Sequence, residues 1–291
     1  MAYANTKENI RLYYEETGQG TPILFVHEFG GDHRSWEAQL RYFGRRYRCI
    51  AYNARGYPPS DVPQDAAAYS YRTFLNDAVA MLDHLKIAKA HIVGLSMGGY
   101  TALQFGLNHP DRALSLTLAG TGSGSERAYT EEHRKRSLEV AALYESAGAA
   151  EVARTYGRGP GRVPFEVKDP RGFARFQQHF SEHDARGSAL TMHGFQAVRP
   201  SLYDFEAEIR AMTLPALIVV GDEDDPCLEP GLFLKTYIAA SGLSVFPKSG
   251  HLVNLEEPAL FNRTLDDFLS RVDAGRWPTR DPRSMRPAKA T

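Results

Sequence analysis

Gly94-Leu95-Ser96-Met97-Gly98-Gly99 is the most informative segment of this chain of 291 residues. It follows an apolar run at 90–93 and leads into a helical pattern at 100–106, which predicts a strand that turns sharply into a helix. The glycines two residues before and after the serine carry no Cβ, so the two backbones can approach closely. The serine hydroxyl then stands above the sheet at the start of the helix, where N–H groups favour an oxyanion. This G-x-S-x-G turn makes Ser96 a candidate nucleophile.

Two further groups that a serine nucleophile requires follow downstream. The apolar, β-branched run 215–220 predicts a buried parallel strand, and it ends in an acidic turn at 221–225. Another short strand is predicted at 243–246, shortly before His251. His251 would take the proton of Ser96, and one carboxylate of the acidic turn would fix the histidine tautomer. The residues alone leave four carboxylates as candidates for that role.

Length, charge and cysteine content narrow the class of protein. A chain of 291 residues allows one domain with an insertion, or two domains at most. With 34 basic and 35 acidic residues, it carries no electrostatic footprint for nucleic acid or an anionic membrane. Residues 1–7 lack the apolar core of a signal peptide, and we find no run of about 18 apolar residues, so we expect a cytoplasmic protein. The two cysteines, Cys49 and Cys227, do not suggest a disulfide framework.

Alternating strand and helix patterns predict a mostly parallel sheet with helices on both faces. The alternation stops at about 121 and resumes near 213, which predicts core segments 1–121 and 213–274 on either side of a helical insertion, 122–212. We expect the Pro- and Arg-rich tail 275–291 to be disordered beyond Trp277. Most aromatic side chains of the insertion are expected to pack it onto the core, and a few to line a mainly apolar pocket. The candidates are Tyr129, Tyr144, Tyr156, Phe165, Phe173, Phe176, Phe180 and Phe195.

These features resemble the α/β-hydrolase superfamily, in its capped, cofactor-free serine-hydrolase branch. Three further stretches carry the resemblance, which runs from about residue 9 to 272. His27-Glu28-Phe29-Gly30-Gly31 is similar to the H-G-x-G-G oxyanion loop, 52–61 to the D-x-R-G-x-G-x-S loop, and 250–258 to the G-H-x-x-x-x-E-x-P stretch. The resemblance implies the α/β-hydrolase fold with a helical cap inserted after the sixth core strand. It also implies catalysis without a cofactor.

The resemblance also assigns roles to individual residues. Asp224 stands three residues after Gly221, which matches the usual G-x-x-D spacing, so it is the expected third member of the triad, with Asp222 as the alternative. The backbone N–H groups of Phe29 and Met97 are the expected oxyanion donors. Phe29 is also a candidate for substrate contact.

Glu28 departs from the family pattern, because glycine usually stands at this position. A carboxylate beside a site that stabilises negative charge is unfavourable, since like charges repel strongly at low dielectric. We expect Glu28 to point away from the site and to make a hydrogen bond or an ion pair, for which Arg55 is a candidate. The alternative is that Glu28 contacts the substrate or carries a second proton. His27 is expected to hydrogen-bond backbone below the loop.

The sequence therefore predicts a serine hydrolase that cleaves a small to medium, partly apolar ester, lactone or thioester through an acyl-enzyme. Hydrolysis of a carbon–carbon bond or an amide is the alternative within the fold. The carbon–carbon hydrolases usually carry tryptophan after the histidine, where this chain has Leu252. A ligand receptor that retains the triad with little turnover is the alternative from another class. The expected partner is a small-molecule substrate, without nucleic acid or membrane, and a homodimer is left open.

One motif suggests metal chemistry instead. His179-Phe180-Ser181-Glu182-His183 matches the H-x-x-E-H pattern of some zinc peptidases. No further ligand follows at a recognisable spacing, and a serine triad already explains the chemistry. We therefore expect no metal site.

Overall fold

The computed structural model describes residues 2–284, and its centre is a sheet of eight strands in the order β1-β2-β4-β3-β5-β6-β7-β8. β2 pairs antiparallel with β1 and β4, and all other pairs are parallel. The predicted mostly parallel sheet is confirmed. The strands are β1 Ala2–Asn5, β2 Arg11–Thr17, β3 Pro22–Val26, β4 Arg48–Tyr52, β5 Ala90–Leu95, β6 Ala113–Ala119, β7 Ala216–Gly221 and β8 Ser241–Phe246.

Helices cover this sheet, with α1 packed on α11 and α2 on α3. The α-helices are α1 Glu37–Phe43, α2 Tyr71–His84, α3 Met97–Asn108, α4 Thr130–Arg154, α5 Val163–Lys168, α6 Pro170–Ser181, α7 Ala185–Thr191, α8 Glu206–Ala211, α9 Asp225–Tyr237, α10 Val253–Glu256 and α11 Pro258–Asp273. Short 3₁₀ turns span His33–Trp36, Ala66–Ala68, Pro110–Arg112, Tyr156–Arg158, Pro160–Arg162, Leu202–Phe205 and Pro282–Ser284, and a π-helical turn spans Met192–Gln196.

The sheet places the predicted motifs at one edge. β3, β5, β7 and β8 are parallel, so their carboxyl ends lie together, with Val26 beside Gly94 and Gly221 beside Phe246. Every residue of β5 and β7 is buried, because these runs of apolar side chains are covered on both faces. The loops after these four strands carry the oxyanion-type loop, Ser96, Asp224 and His251. This edge is where open α/β sheets bind ligands.

The segment between β6 and β7 is helical, from α4 to α8. α4 is interrupted at Gly148, where φ is 79°, and the next turns fold back over the 27–31 loop. The ring of Phe29 makes edge-on contacts with three aromatic rings of this segment, those of Tyr144, Tyr156 and Phe180, at centroid distances of 6.0–6.3 Å. Most of the predicted aromatics thus serve to pack this segment onto the core, whereas Tyr129 is 55% exposed. The boundaries at 122 and 212 stay a prediction.

Both ends of the chain differ from expectation. β1 has no counterpart among the predicted elements, since its four residues are too short for a period to show. Of the tail 275–291, residues 275–284 are described. Trp277 packs on Phe268, and the N–H of Arg280 donates to the carbonyl of Ala239, so the expected disorder beyond Trp277 does not begin there. Residues 285–291 lie outside the described part of the chain.

Across residues 2–284, no helix combines the length and the apolar character that crossing a membrane requires.

Candidate active site

Ser96 occupies the sharp turn between β5 and α3. Its backbone has φ 55° and ψ −112°, a strained conformation for a residue with a side chain. A Cβ at Gly94 would overlap the carbonyl oxygen of Gly98, and a Cβ at Gly98 would overlap that of Val26. The Ser96 N–H donates to the carbonyl of Ala119 at 2.8 Å. Strand, turn and helix therefore fit together only because both flanking positions are glycine.

Asp224 and His251 meet at the carboxyl ends of β7 and β8. The His251 Nδ1 lies 2.7 Å from the Asp224 carboxylate, which is almost fully buried. Asp222 instead accepts a hydrogen bond from the Ser249 N–H at 3.1 Å and so supports the histidine loop. Of the two carboxylates considered from the sequence, the structure brings Asp224 to the imidazole.

A cavity of about 350 Å³ joins these residues, and we call it the Ser96 cavity. Its lining includes Ser96, His251, Asp224 and Phe29. Burial alone would lower the pKa of His251, but the charge and hydrogen bond of Asp224 outweigh it and raise that pKa. The geometry suits a general base that becomes an imidazolium while the aspartate compensates its charge.

The 27–31 loop presents a second set of backbone groups. The Tyr57 hydroxyl donates to the carbonyl of Phe29 at 3.1 Å and so holds the peptide bond between Phe29 and Gly30. His27 Nε2 accepts from the Ala54 N–H at 3.0 Å, so Nδ1 carries the proton and donates to the Glu28 carbonyl at 2.7 Å. Its ring bonds backbone below the loop, as expected. Within residues 2–284, neither the Phe29 nor the Met97 N–H donates to a protein acceptor, which leaves both for a ligand oxygen.

The Glu28 side chain is 1% exposed, and its partner is not the one predicted. Glu28 Oε2 accepts from the Gly30 N–H at 2.8 Å and from Arg162 Nη2 at 3.2 Å. Arg55 instead pairs with Asp77 at 2.6 Å and Glu8 at 2.8 Å. The predicted Glu28–Arg55 pair is wrong, because all three guanidinium nitrogens of Arg55 bond Asp77, Glu8 or the carbonyl of Ala68.

Arg162 belongs to the 3₁₀ turn Pro160–Arg162, which sits directly on the catalytic loops. The carbonyl of Gly161 accepts from the His251 N–H at 2.6 Å. The Arg162 guanidinium lies over the rings of Tyr156 and Phe176, at 5.1 and 5.7 Å from their centroids, and lines the Ser96 cavity. No sequence motif marked this residue, which lies 134 positions from Glu28.

Two more arginines line the cavity without a carboxylate partner among residues 2–284, namely Arg199 and Arg136. Arg199 Nη2 donates to the carbonyl of Ser123 at 2.6 Å and lies 3.3 Å from His133 Nε2. Burial lowers the pKa of Arg199. Burial, and then the charges of both arginines, lower the pKa of His133 to about 3, so this imidazole is neutral and accepts. No sequence motif marks His133, which the structure places in the lining of this cavity.

The H-x-x-E-H motif does not assemble a ligand set. His183 is buried between the rings of Tyr57 and Phe180, at centroid distances of 5.1 Å. In the described part of the chain, the group of three potential ligand side chains close enough to share an ion comprises Asp224, Cys227 and His251, and not the motif. Absence of a metal stays a prediction.

The chain matches the α/β-hydrolase fold family over residues 21–258, and it belongs to that family. It is 26% identical over 271 residues to 3-oxoadipate enol-lactonase 2 of Acinetobacter baylyi, covering 92% of this chain and 96% of the relative. It is 30% identical over 272 residues to the 2-hydroxymuconate semialdehyde hydrolase of a Pseudomonas species, covering 91% and 92%. A thermophilic esterase from Thermogutta terrifontis, solved with malate bound, superposes with a TM-score of 0.81 at 26% identity, covering 93% and 98%. The protein is a hydrolase.

Proposed function

We propose that the protein is a serine hydrolase of small carboxylic esters or lactones, with Ser96, His251 and Asp224 as its triad. Ser96 Oγ attacks the carbonyl carbon while its proton passes to His251. The carbon–oxygen bond to the leaving group then breaks, and that oxygen takes the proton. Water, activated by the same imidazole, releases the acyl group from the serine. The observation that carries the proposal is the 2.7 Å contact of His251 with Asp224 in a cavity that they share with the strained Ser96.

The N–H groups of Phe29 and Met97 have the role of oxyanion donors in this proposal. They belong to the loop and the turn that flank the nucleophile, and no protein acceptor among residues 2–284 takes either hydrogen. Donors of this kind act on the charge that develops at the carbonyl oxygen, and removal of one costs about 10²–10³ in kcat.

A carboxylate on the substrate accounts for the unpaired arginines of the cavity. Arg199 is half-buried, and its Nε is buried without a hydrogen-bond partner among residues 2–284, so it favours a ligand that supplies a negative charge. Arg136 is exposed and adds a second positive charge at the rim of the same lining. The cavity volume of about 350 Å³ lies at the small end of ligand sites, roughly 300–1,000 Å³. The relatives named for 3-oxoadipate and 2-hydroxymuconate semialdehyde, and the esterase solved with malate, agree with a small anionic compound.

Hydrolysis of a carbon–carbon bond is the second candidate, favoured by the 30% identity to the 2-hydroxymuconate semialdehyde hydrolase. The same nucleophile, base and oxyanion donors would serve it. A receptor that keeps the triad with little turnover is the third, and it requires binding without catalysis.

A panel of small substrates separates these candidates. It contains a neutral p-nitrophenyl ester, the p-nitrophenyl monoester of a dicarboxylic acid of equal length, a carboxylate-bearing enol-lactone and a ring-fission diketone. We expect turnover of the ester and lactone members, abolished in Ser96→Ala, with KM lowest for the carboxylate-bearing ones. Arg199→Met is expected to raise KM for the monoester and to leave KM for the neutral ester within a few-fold. Turnover of the diketone alone would favour the second candidate, and binding without turnover the third.

A further inference from the structure

One short turn of the helical segment holds both loops that complete the site. In Pro160–Arg162, the carbonyl of Gly161 binds the backbone N–H of His251, and the side chain of Arg162 binds Glu28 of the 27–31 loop. The approach at Gly161 is close, since a Cβ on Gly250 would overlap its carbonyl oxygen. This turn therefore sets the positions of the base and of the oxyanion loop relative to each other.

Glu28 transmits the contact of Arg162 to the oxyanion loop. One carboxylate oxygen accepts both the Gly30 N–H and Arg162 Nη2, so the arginine and the loop backbone share a single acceptor. The peptide bond between Phe29 and Gly30 is therefore held at both ends, because the Tyr57 hydroxyl donates to its carbonyl and its N–H donates to Glu28. The Phe29 N–H belongs to the preceding peptide, whose carbonyl on Glu28 accepts from His27 Nδ1 and the Gly31 N–H. Glu28, with Arg162 beside it, thus fixes the peptide that directly follows the Phe29 N–H.

Because the two side chains carry opposite charges, loss of Arg162 is expected to harm the oxyanion loop more than loss of the Glu28 charge. Glu28 is 1% exposed, and its other carboxylate oxygen is buried without a hydrogen-bond partner among residues 2–284. Without Arg162, an uncompensated negative charge would lie one residue from the donor that must stabilise an oxyanion, in a medium of low dielectric. Without the Glu28 charge, the cation of Arg162 would remain, and a cation does not repel the developing oxyanion.

We propose that Arg162 and Glu28 form a positioning pair through which the Pro160–Arg162 turn makes the oxyanion loop competent for catalysis. The proposal rests on the proposed serine-hydrolase function. Arg162 cancels the Glu28 charge, and Glu28 holds Gly30 so that the Phe29 N–H faces the carbonyl oxygen of the substrate. When the turn is displaced, the loop loses its acceptor geometry and gains a repulsive charge.

The test compares the rate of Ser96 phosphonylation by a small neutral fluorophosphonate with kcat and KM for p-nitrophenyl acetate. We expect Arg162→Met to lower both the phosphonylation rate and kcat about 10- to 100-fold with KM little changed, less than the removal of a whole oxyanion donor. Arg162→Lys, which keeps the charge, is expected to retain most of the activity. Glu28→Gln keeps an acceptor oxygen for Gly30 and introduces no repulsive charge, so its loss is expected to be smaller than that of Arg162→Met.

The double variant Glu28→Gln/Arg162→Met decides between positioning by charge and simple packing. We expect it to be several-fold faster than Arg162→Met alone, because the neutral amide needs no counter-ion, and such non-additivity marks direct coupling. The pH profiles provide a second readout. Arg162 lowers and Glu28 raises the pKa of His251, so Arg162→Met is expected to move the acid limb of kcat/KM to higher pH and Glu28→Gln to lower pH.

A matched control removes a different ion pair between the same parts of the molecule. Glu182→Gln abolishes the 2.6 Å pair with Arg34 and has no contact with the 27–31 loop, so it is expected to keep wild-type rates. Should Arg162→Met fail to fold, Arg162→Lys and the double variant still decide the question. Wild-type rates in Arg162→Met, or a double variant no faster than it, would overturn the positioning pair. A wild-type protein that the reagent does not label at Ser96 would instead overturn the proposed function.

Discussion

The two loops that supply backbone N–H groups to the site are held in place by different means. The turn at 94–98 is fixed by contacts within the core, where glycine backbones lie against the carbonyls of neighbouring segments. The loop at 27–31 depends on a buried carboxylate and on an arginine from the helical insertion. The first arrangement is rigid by sterics, whereas the second is adjustable, because it relies on charge and on a segment that packs from outside. The difference explains why one loop keeps the family pattern while the other tolerates Glu28.

The largest expected effect lies at the rigid turn and its base. Ser96→Ala and His251→Ala should each reduce kcat by about 10⁶-fold on an ester substrate, because nucleophile and base act as a unit. The double variant should lose little more than either single one, as measured by steady-state kinetics with stability checked by thermal melting. Additive losses would show that the two residues act separately.

Next in size is the residue that orients the base. Asp224→Asn should lower kcat by up to about 10⁴-fold through the wrong histidine tautomer. Since Asp224 is what raises the pKa of His251 against the effect of burial, its neutralisation should also move the acid limb of kcat/KM to lower pH. Asp222→Asn serves as the control and should keep most of the activity. A greater loss in Asp222→Asn would reverse the assignment of the two carboxylates.

A pair of glycine substitutions tests whether the turn at 94–98 is more rigid than the loop at 27–31. A Cβ at Gly98 meets backbone, which cannot rotate away, whereas a Cβ at Gly30 meets the side chains of Glu28 and Phe180 at 2.9 and 3.1 Å. Gly98→Ala should lower the free energy of unfolding by about 3 kcal/mol or more, and Gly30→Ala by about 1–2 kcal/mol. Urea denaturation gives both values. Equal losses would mean that the two loops are equally constrained.

Removal of the charge from the 27–31 loop is expected to change the stability of the protein by an amount similar to that for Gly30→Ala. Glu28→Gln should lower the free energy of unfolding by about 1–3 kcal/mol, since it leaves the buried Arg162 with a neutral partner. Calorimetric melting at fixed pH measures this. Native stability together with an altered discrimination against carboxylate-bearing substrates would instead show that Glu28 faces the pocket and contacts substrate.

Local patterns were sufficient to predict the fold and to select Ser96, Asp224 and His251, which line one cavity, whereas their role as a triad stays a prediction. The elbow, the apolar strands and the spacing of Asp224 from Gly221 are each patterns that span only a few residues. Local sterics and burial are their physical causes. Arg162 could not be found in this way, because its partner lies 134 positions away and the insertion follows no fixed register. The prediction of Arg55 as the partner of Glu28 was wrong for the same reason. Asp77 and Glu8 bind Arg55, and the sequence does not show how close their elements lie to it in space.

The residues that line the cavity could not be predicted from the sequence either. His133 and Arg199 reach the Ser96 cavity from opposite ends of the insertion, and only the packed chain brings them within 3.3 Å. Most of the predicted aromatics turned out to pack the insertion, because large rings serve a core and a pocket equally well. The short edge strand β1 carried too few residues for an alternating pattern to be recognised.

Peptide mapping by mass spectrometry after treatment with a fluorophosphonate identifies the nucleophile. If it is the Ser96 hydroxyl, one adduct per chain should form, located on Ser96 and absent from Ser96→Ala. Labelling should slow at low pH as His251 becomes protonated. An adduct on another residue, or no adduct in a folded protein that still turns over an ester, would contradict this role of Ser96.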